Sequence, residues 1–240
     1  MQEKYLLELW RRYEKRFEHN PALNEILKRG FCYSEVSRRE VLVMGINPSF
    51  RRQESGEVKN RKCLSFQYDH VKLNDRYFRQ IRNFVGSLDD RTDYLDVFNY
   101  RETAQKKLFA FLKDETGVQF LAENLLITQL QIEQVVQPKL IVVKNKDAWM
   151  FFGKYAVEHR YESGVWMGYV LQKVKDTNCG EVYRIEGLAD SKQRVGNGCL
   201  QTTCLNGSLV LFTEHYQYCK VDERPTAAII EQLYDLATKR

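Results

Sequence analysis

The spacing of hydrophobic residues changes several times along this chain, and each change marks a predicted element. Residues 3–18 place apolar and aromatic side chains three or four positions apart, which is typical of an amphipathic helix. Short runs of consecutive apolar residues predict strands that are buried on both faces. Such runs occupy residues 41–45, 93–100, 140–143 and 208–213.

Helical spacing predicts helices before, between and after these strands. They begin at Asn20 and at about residue 105, and they occupy residues 73–86, 118–137, 146–155 and 225–238. Strands that alternate with helices predict an α/β fold, here a three-layer α/β/α sandwich around a central, mainly parallel four-stranded sheet. A β-hairpin insertion is predicted within residues 165–207, because apolar runs flank the turn residues 177–180. We expect a single domain over residues 1–240, with N-terminal helices within 1–40.

The composition restricts the class of protein without identifying it. Of the 240 residues, 43% are hydrophobic and 29% are charged, which is typical of a globular protein. No apolar run approaches the roughly 20 residues that span a bilayer, and the polar N-terminus lacks the apolar region of a secretory signal. We therefore expect a cytoplasmic monomer without membrane contact. The six cysteines are scattered, so we expect free thiols, no metal site and no cofactor.

The most informative segment is the end of the first strand, where residues 41–50 read VLVMGINPSF. The glycine permits a close approach of the backbone, and the proline prevents the strand from continuing. Ligands of α/β sheets bind at the carboxyl ends of strands. We therefore expect a binding site built from Gly45, Ile46, Asn47, Pro48, Ser49 and Phe50, although an ordinary turn closed by Asn-Pro-Ser would give the same sequence.

Polar residues also follow the other three predicted strands, at Asn99, Asn145 and His215. The carboxyl ends of parallel strands meet at one edge of a sheet, so these side chains are expected to converge. We predict that Asn47, Phe50, Asn99 and His215 share one cavity wide enough for a pyrimidine.

Asp96 breaks the apolar run of the second predicted strand. A carboxyl group in a buried strand needs a hydrogen-bond partner, or it points into a site. The sequence leaves both interpretations open and slightly favours a structural hydrogen bond.

Residues 45–49, GINPS, resemble the first motif of the uracil-DNA glycosylase superfamily, closest to the Gly-x-Asn-Pro form of its mismatch-specific and single-strand-selective branches. The order of the strand-end residues is similar to that family over about residues 41–218. The resemblance implies that Asn47 positions the attacking water and that Phe50 is a stacking platform for the extruded base.

The same resemblance implies that Asn99 reads the amide edge of a uracil-like base and that His215 donates toward O2 of the leaving base. An amide offers a donor and an acceptor together, which matches uracil and leaves groups of cytosine unpaired. The family's second motif reads His-Pro-Ser or Asn-Pro-Ser, whereas residues 214–217 read Glu-His-Tyr-Gln. Insertion into duplex DNA is therefore not implied.

A basic segment follows the first motif, and we expect its side chains Arg51, Arg52, Arg61 and Lys62 to contact a nucleic-acid backbone. A solvated basic loop is the plainer interpretation, and a net charge of +5 does not by itself identify a nucleic-acid binder. The resemblance implies a protein that hydrolyses the N-glycosidic bond of uracil or another damaged base in single- or double-stranded DNA without a cofactor. An inactive nucleic-acid-binding relative and an α/β enzyme acting on a small nucleoside remain open alternatives.

Overall fold

The structure is a computed structural model that describes residues 2–50, 56, 61–155, 166–195, 200–216 and 218–239. Its helices are α1 (Gln2–Arg16), α2 (Pro21–Lys28), α3 (Tyr68–Val71), α4 (Arg76–Val85), α5 (Leu108–Leu112), α6 (Glu115–Gln131), α7 (Lys146–Phe152) and α8 (Ala227–Thr238). Its strands are β1 (Phe31–Ser34), β2 (Val41–Gly45), β3 (Cys63–Phe66), β4 (Thr92–Asp96), β5 (Leu140–Lys144), β6 (Tyr169–Thr177), β7 (Gly180–Leu188) and β8 (Leu209–Thr213).

The main sheet has six strands in the order β4-β2-β5-β8-β7-β6. The four strands that the apolar runs predict are parallel neighbours, so the α/β class is confirmed. The predicted hairpin is present within residues 165–207 as β6 and β7, but the predicted number of four strands is wrong, because β7 pairs antiparallel with β8 and the hairpin extends the sheet. This pairing satisfies backbone groups that the edge of β8 would otherwise leave open.

A second, two-stranded parallel sheet joins β1 to β3, and the apolar pattern does not predict it. Both strands have only four residues and are partly exposed, so they lack the uninterrupted apolar run that marks a buried strand. The amide of Cys32 donates to the carbonyl of Asn99 at 2.8 Å. This bond ties β1 to the segment that follows β4.

Buried apolar side chains form two clusters, one on each face of the main sheet. Leu42 and Met44 belong to the cluster that contains residues of α1, α6 and α7. Val41 and Val43 belong to the other cluster, with residues of α4 and α8. Because successive strand residues point to opposite faces, helices cover both sides of the sheet.

The helix boundaries follow local signals in the sequence. Asn20 caps α2 by accepting a hydrogen bond from the amide of Leu23, and Asp75 caps α4 in the same way. Helix α6 continues into a π turn, Ile132–Val136, and ends at the left-handed residue Gln137 just before a proline. Among the helices of the described ranges, none combines the length and the apolar character needed to cross a membrane.

Candidate functional site

The carboxyl ends of the four parallel strands open into one cavity of about 890 Å³. This volume lies within the range of small-molecule sites, roughly 300–1,000 Å³. The predicted segment after β2 contributes to its wall, which includes Gly45, Ile46, Asn47, Pro48 and Ser49. The other strand ends and the start of α4 also line the cavity. A cavity therefore lies at the strand ends, where the sequence predicts a binding site.

Three strand-end residues lie in one row across the sheet. Gly45 pairs with Asp96, and the pairing of Met44 with Val143 brings Gly45 level with Lys144 one step further on. Two positions earlier in the three strands, Val43, Tyr94 and Val142 belong to the cluster that contains residues of α4 and α8. By the two-residue alternation of strands, the Asp96 and Lys144 side chains lie on this same face, with the glycine between them.

Gly45 makes room for a group of polar side chains. A Cβ atom at this position would lie 2.1 Å from the hydroxyl of Tyr94, 2.4 Å from Oδ1 of Asp96 and 3.1 Å from the hydroxyl of Tyr77. The first two distances are far below van der Waals contact. The predicted close approach at Gly45 is confirmed, and the approaching groups are a carboxyl and two phenols.

Asp96 ends a short chain of hydrogen bonds. The hydroxyl of Tyr94 donates to Oδ1 of Asp96 at 2.6 Å, and it lies 3.1 Å from the hydroxyl of Tyr77. Burial raises the pKa of Asp96 from 3.8 to about 7, although the Tyr94 hydroxyl and the Lys144 charge oppose this shift. Asp96 therefore has a structural partner and also lines the cavity, so both interpretations of this residue hold. A carboxyl that titrates near neutrality is suited to general acid-base chemistry.

Lys144 lies at the end of β5, with a side chain that is only 1% exposed. Its Nζ atom lies 4.2 Å from the centre of the Tyr77 ring and makes no hydrogen bond to any residue that the structure describes. Burial lowers the pKa of Lys144 from 10.5 to about 8, while the nearby Asp96 opposes the change. The site therefore contains an amine that loses its proton close to neutral pH.

His215 follows β8 and lines the cavity, as predicted from its place at a strand end. Its ring stacks on Tyr77 at a centroid distance of 6.2 Å, and Tyr218 lies on it at 5.5 Å. Burial lowers the pKa of His215, and the charge of Lys144 lowers it further. His215 is therefore predominantly neutral at pH 7, and a neutral imidazole has one N–H to donate.

Two amides complete the polar lining of the cavity. Nδ2 of Asn47 donates to the carbonyl of Glu102 at 2.6 Å, and its Oδ1 atom makes no hydrogen bond within the described residues. Oδ1 of Asn145 caps α7 by accepting from the amide of Asp147 at 2.9 Å. Each amide is thus held by one end and presents its other end to a ligand.

Phe50 does not line the cavity. Its ring lies between two guanidinium groups, with the carbon of Arg29 at 5.1 Å and that of Arg101 at 5.0 Å from the ring centre. Thr103 also fixes the Phe50 backbone through two hydrogen bonds. The prediction that Phe50 stacks within the cavity is therefore wrong, because arginines from distant segments hold the ring. Tyr77 and Phe78 provide aromatic rings in the wall instead.

Asn99 also lies outside the cavity wall. Its Nδ2 atom donates to the hydroxyl of Thr128 at 3.1 Å, and its Oδ1 atom accepts from Gln2 at 3.3 Å. Strand β4 ends three residues earlier, and the segment after it packs with the cluster that contains α1 and α6. The prediction that Asn99 reads a base in this cavity is wrong, and Asp96 is the β4 residue that reaches it.

Substitution of Asn99 by alanine is expected to affect stability and not the cavity. The change leaves the buried groups of Thr128 and Gln2 without their partner, which costs about 1–3 kcal/mol. Urea denaturation should show this loss, and ligand binding by the folded protein should be unchanged. Asn47→Ala is the matched control, because Asn47 is half-buried and lines the cavity. A change in ligand affinity at constant stability would contradict the structural role of Asn99.

Of the predicted backbone contacts that the structure describes, Arg61 and Lys62, neither lines the cavity. Arg51 and Arg52 lie outside the described residues. Arg61 and Lys62 are exposed, and Nζ of Lys62 lies 3.6 Å from the centre of the Trp10 ring. Their contact with a nucleic acid stays a prediction.

Sequence reasoning did not identify Lys144 and Tyr77 as site residues. Lys144 directly follows four apolar residues in the run LIVVK, and a charge at the end of a buried strand is a signal for a site. The aromatic face of α4 gives no such signal, because residues that pack on a sheet have the same spacing. The cap of α4 by Asp75, which accepts from the amide of Tyr77 at 2.8 Å, helps to fix that end of the helix at the cavity.

The polar groups of the cavity do not resemble a metal centre. In the described ranges, no group of three or more His, Cys, Asp or Glu side chains is arranged to hold a metal ion. The five cysteines that the structure describes, Cys32, Cys63, Cys179, Cys204 and Cys219, form no disulfide with one another. Comparison of this chain with models of protein families, with curated proteins and with solved structures finds no match.

Proposed function

We propose that this protein hydrolyses the N-glycosidic bond of uracil or another damaged base in DNA. The observation that carries the proposal is the meeting of Asp96, Asn47, His215 and the Tyr77 ring in one cavity at the strand ends. A carboxyl, an amide, an imidazole and an aromatic face are the groups that this reaction needs. The motif at residues 45–49 and the positions of Asn47 and His215 after their strands support the same chemistry.

Breaking the bond between sugar and base creates positive charge on the sugar and negative charge on the base. Ionised Asp96 stabilises the positive sugar and accepts a proton from the attacking water. The free Oδ1 of Asn47 accepts a hydrogen bond from that water and orients it, since an amide cannot remove the proton itself.

The departing base needs donors and a surface on which to stack. Neutral His215 donates its N–H, and the Nδ2 group of Asn145 offers a second donor. The rings of Tyr77 and Phe78 replace the stacking that an extruded base loses. These two rings have the stacking role that the sequence predicts for Phe50.

A single-stranded oligonucleotide is the preferred substrate. No base pair has to open in it, so extrusion costs less than from a duplex. Residues 214–217 also lack the proline and serine of the family's second motif. Exposed Lys106 and Tyr218, which is 77% exposed, lie at the cavity and offer a charge and a ring to the strand.

Hydrolysis of a free nucleoside is a second candidate. A cavity of about 890 Å³ is large enough to hold a small ligand, by the size range of such sites. Lys106 is also the one exposed cation among the cavity-lining residues that the structure describes. A phosphate backbone would therefore find few charges close to the bound base.

Asn47→Ala is expected to lower kcat for base release by about 100-fold, since the attacking water loses its orienting group. The assay measures abasic sites, by alkaline cleavage, in single- and double-stranded oligonucleotides that contain uracil. Asn99→Ala is the matched control and should keep the rate of the folded protein. Release from free nucleosides alone would favour the second candidate. Salt-sensitive DNA binding without release of any base would contradict both enzyme proposals.

A further inference from the structure

Lys144 differs from the other buried lysines of the described chain in its lack of a partner. Nζ of Lys154 lies 2.8 Å from Glu181, and Nζ of Lys72 lies 2.8 Å from both Asp69 and Asp89. Nζ of Lys144 makes no hydrogen bond or ion pair within the described residues. It is nevertheless buried, and its side chain lines the cavity. An ion pair therefore does not explain its position.

Burial without a partner favours the uncharged form of an amine. The pKa of Lys144, which burial lowers to about 8, is consistent with this environment. A neutral amine has a free electron pair, and lysines desolvated in this way form imines with carbonyl compounds. Lys144 therefore has the properties of a nucleophile.

Several titratable groups line the same cavity. Asp96 and Tyr94 lie on β4, Asp75 caps α4, Tyr77 lies in α4, and His215 follows β8. Imine formation needs an acid that helps water to leave and a base that removes a proton from nitrogen. Asp96 titrates near pH 7, and the neutral form of His215, which its lowered pKa favours, can accept a proton, so the cavity can supply each of these functions.

We infer that Lys144 captures an abasic site by forming an imine with the aldehyde carbon C1′ of its open-chain deoxyribose. Nζ attacks C1′ and forms a C–N bond, while the carbonyl oxygen takes up a proton and becomes a hydroxyl group. Loss of this hydroxyl as water, and of the second amine proton, leaves the C=N bond. No oxidant or reductant takes part, and water reverses the reaction. The inference rests on the proposed function, which supplies the aldehyde as its product.

The test uses an oligonucleotide with a preformed abasic site, so that base release is not needed. The full chain is incubated with it in the presence of borohydride, which reduces an imine to a stable amine. We expect a covalent adduct on a denaturing gel, with the added mass on the peptide that contains Lys144. The adduct should disappear in Lys144→Met, whose side chain fits an apolar environment and should preserve the fold. Lys146→Met is the matched control, since Lys146 is exposed and pairs with Glu214 at 2.6 Å, and it should still form the adduct.

Failure of the inference and failure of the proposed function give different results. Release of uracil without any adduct would overturn the role of Lys144 and leave the proposed function intact. An adduct on Lys144 without release of uracil would support the inference and overturn the proposed function. An adduct that persists in Lys144→Met, or that maps to another lysine, would also overturn the assignment. Absence of both the adduct and base release would overturn both proposals.

Discussion

Asp96→Asn is expected to lower the rate of base release by about 10²–10⁴-fold, the usual contribution of a general base. Asparagine has nearly the same shape as aspartate, and its carbonyl can still accept the hydrogen bond from Tyr94. It cannot take a proton from water or balance the positive charge on the sugar. Single-turnover assays with a uracil-containing oligonucleotide measure the effect. In the unmodified protein the rate should rise with pH through about 7, as Asp96 ionises.

The same variant gives a second readout in its stability. Unfolded Asp96 loses its proton near 3.8, whereas the folded group keeps it until about 7, so the protein loses stability as the pH rises through this interval. Asp96→Asn has no such loss. Above pH 7 its free energy of unfolding should exceed that of the unmodified protein by on the order of 4 kcal/mol. Chemical denaturation at pH 4 and pH 8 measures the difference, and a variant with normal activity and unchanged stability at both values would contradict the role of Asp96.

Gly45→Ala is expected to damage both the fold and the site. The added Cβ would lie 2.1 Å from the Tyr94 hydroxyl and 2.4 Å from Oδ1 of Asp96, so these groups or the strand must move. Overpacking of this kind costs about 1–3 kcal/mol. Displacement of Asp96 by about 1 Å is enough to reduce the rate by roughly 100-fold. Thermal unfolding and base-release assays measure the two effects.

Gly56→Ala is the control for this substitution. A Cβ at Gly56 meets no atom of the described residues within 4 Å, so the stability and the rate should stay close to those of the unmodified protein. Equal behaviour of the two variants would show that the close packing at Gly45 has no consequence. That result would contradict the described arrangement of Asp96 and Tyr94.

The elements of the main sheet were predictable because their signals are local. Strands β2, β5 and β8 are apolar runs, apolar residues on both sides of Asp96 indicate β4, and the hairpin turn at 177–180 is visible from its residue types. The pairing of β7 with β8 was not predictable, because an apolar run does not indicate which edge strand of the sheet it will pair with. The short strands β1 and β3 were not predicted, because each has only four residues, several of them partly exposed, and so shows no clear period.

The site was harder to predict than the fold because it depends on where each strand ends. Val97 and Phe98 continue the apolar run after Asp96, so the sequence places the strand end near Asn99. Both residues in fact pack in the cluster on the opposite face, and the strand ends at Asp96. The position of the Phe50 ring depends on Arg29 and on Arg101, which follows β4. Contacts between such distant segments leave no local trace in the sequence.

A crystal structure of the Asp96→Asn protein with a uracil-containing single-stranded oligonucleotide is the most direct measurement of the proposed site. The slow variant should hold the uncleaved substrate. We expect the extruded base inside the cavity, stacked on Tyr77 and close to His215, with the sugar carbon C1′ between the side chain of residue 96 and the water on Asn47. An oligonucleotide that binds elsewhere on the protein, with its bases outside this cavity, would contradict the proposed function.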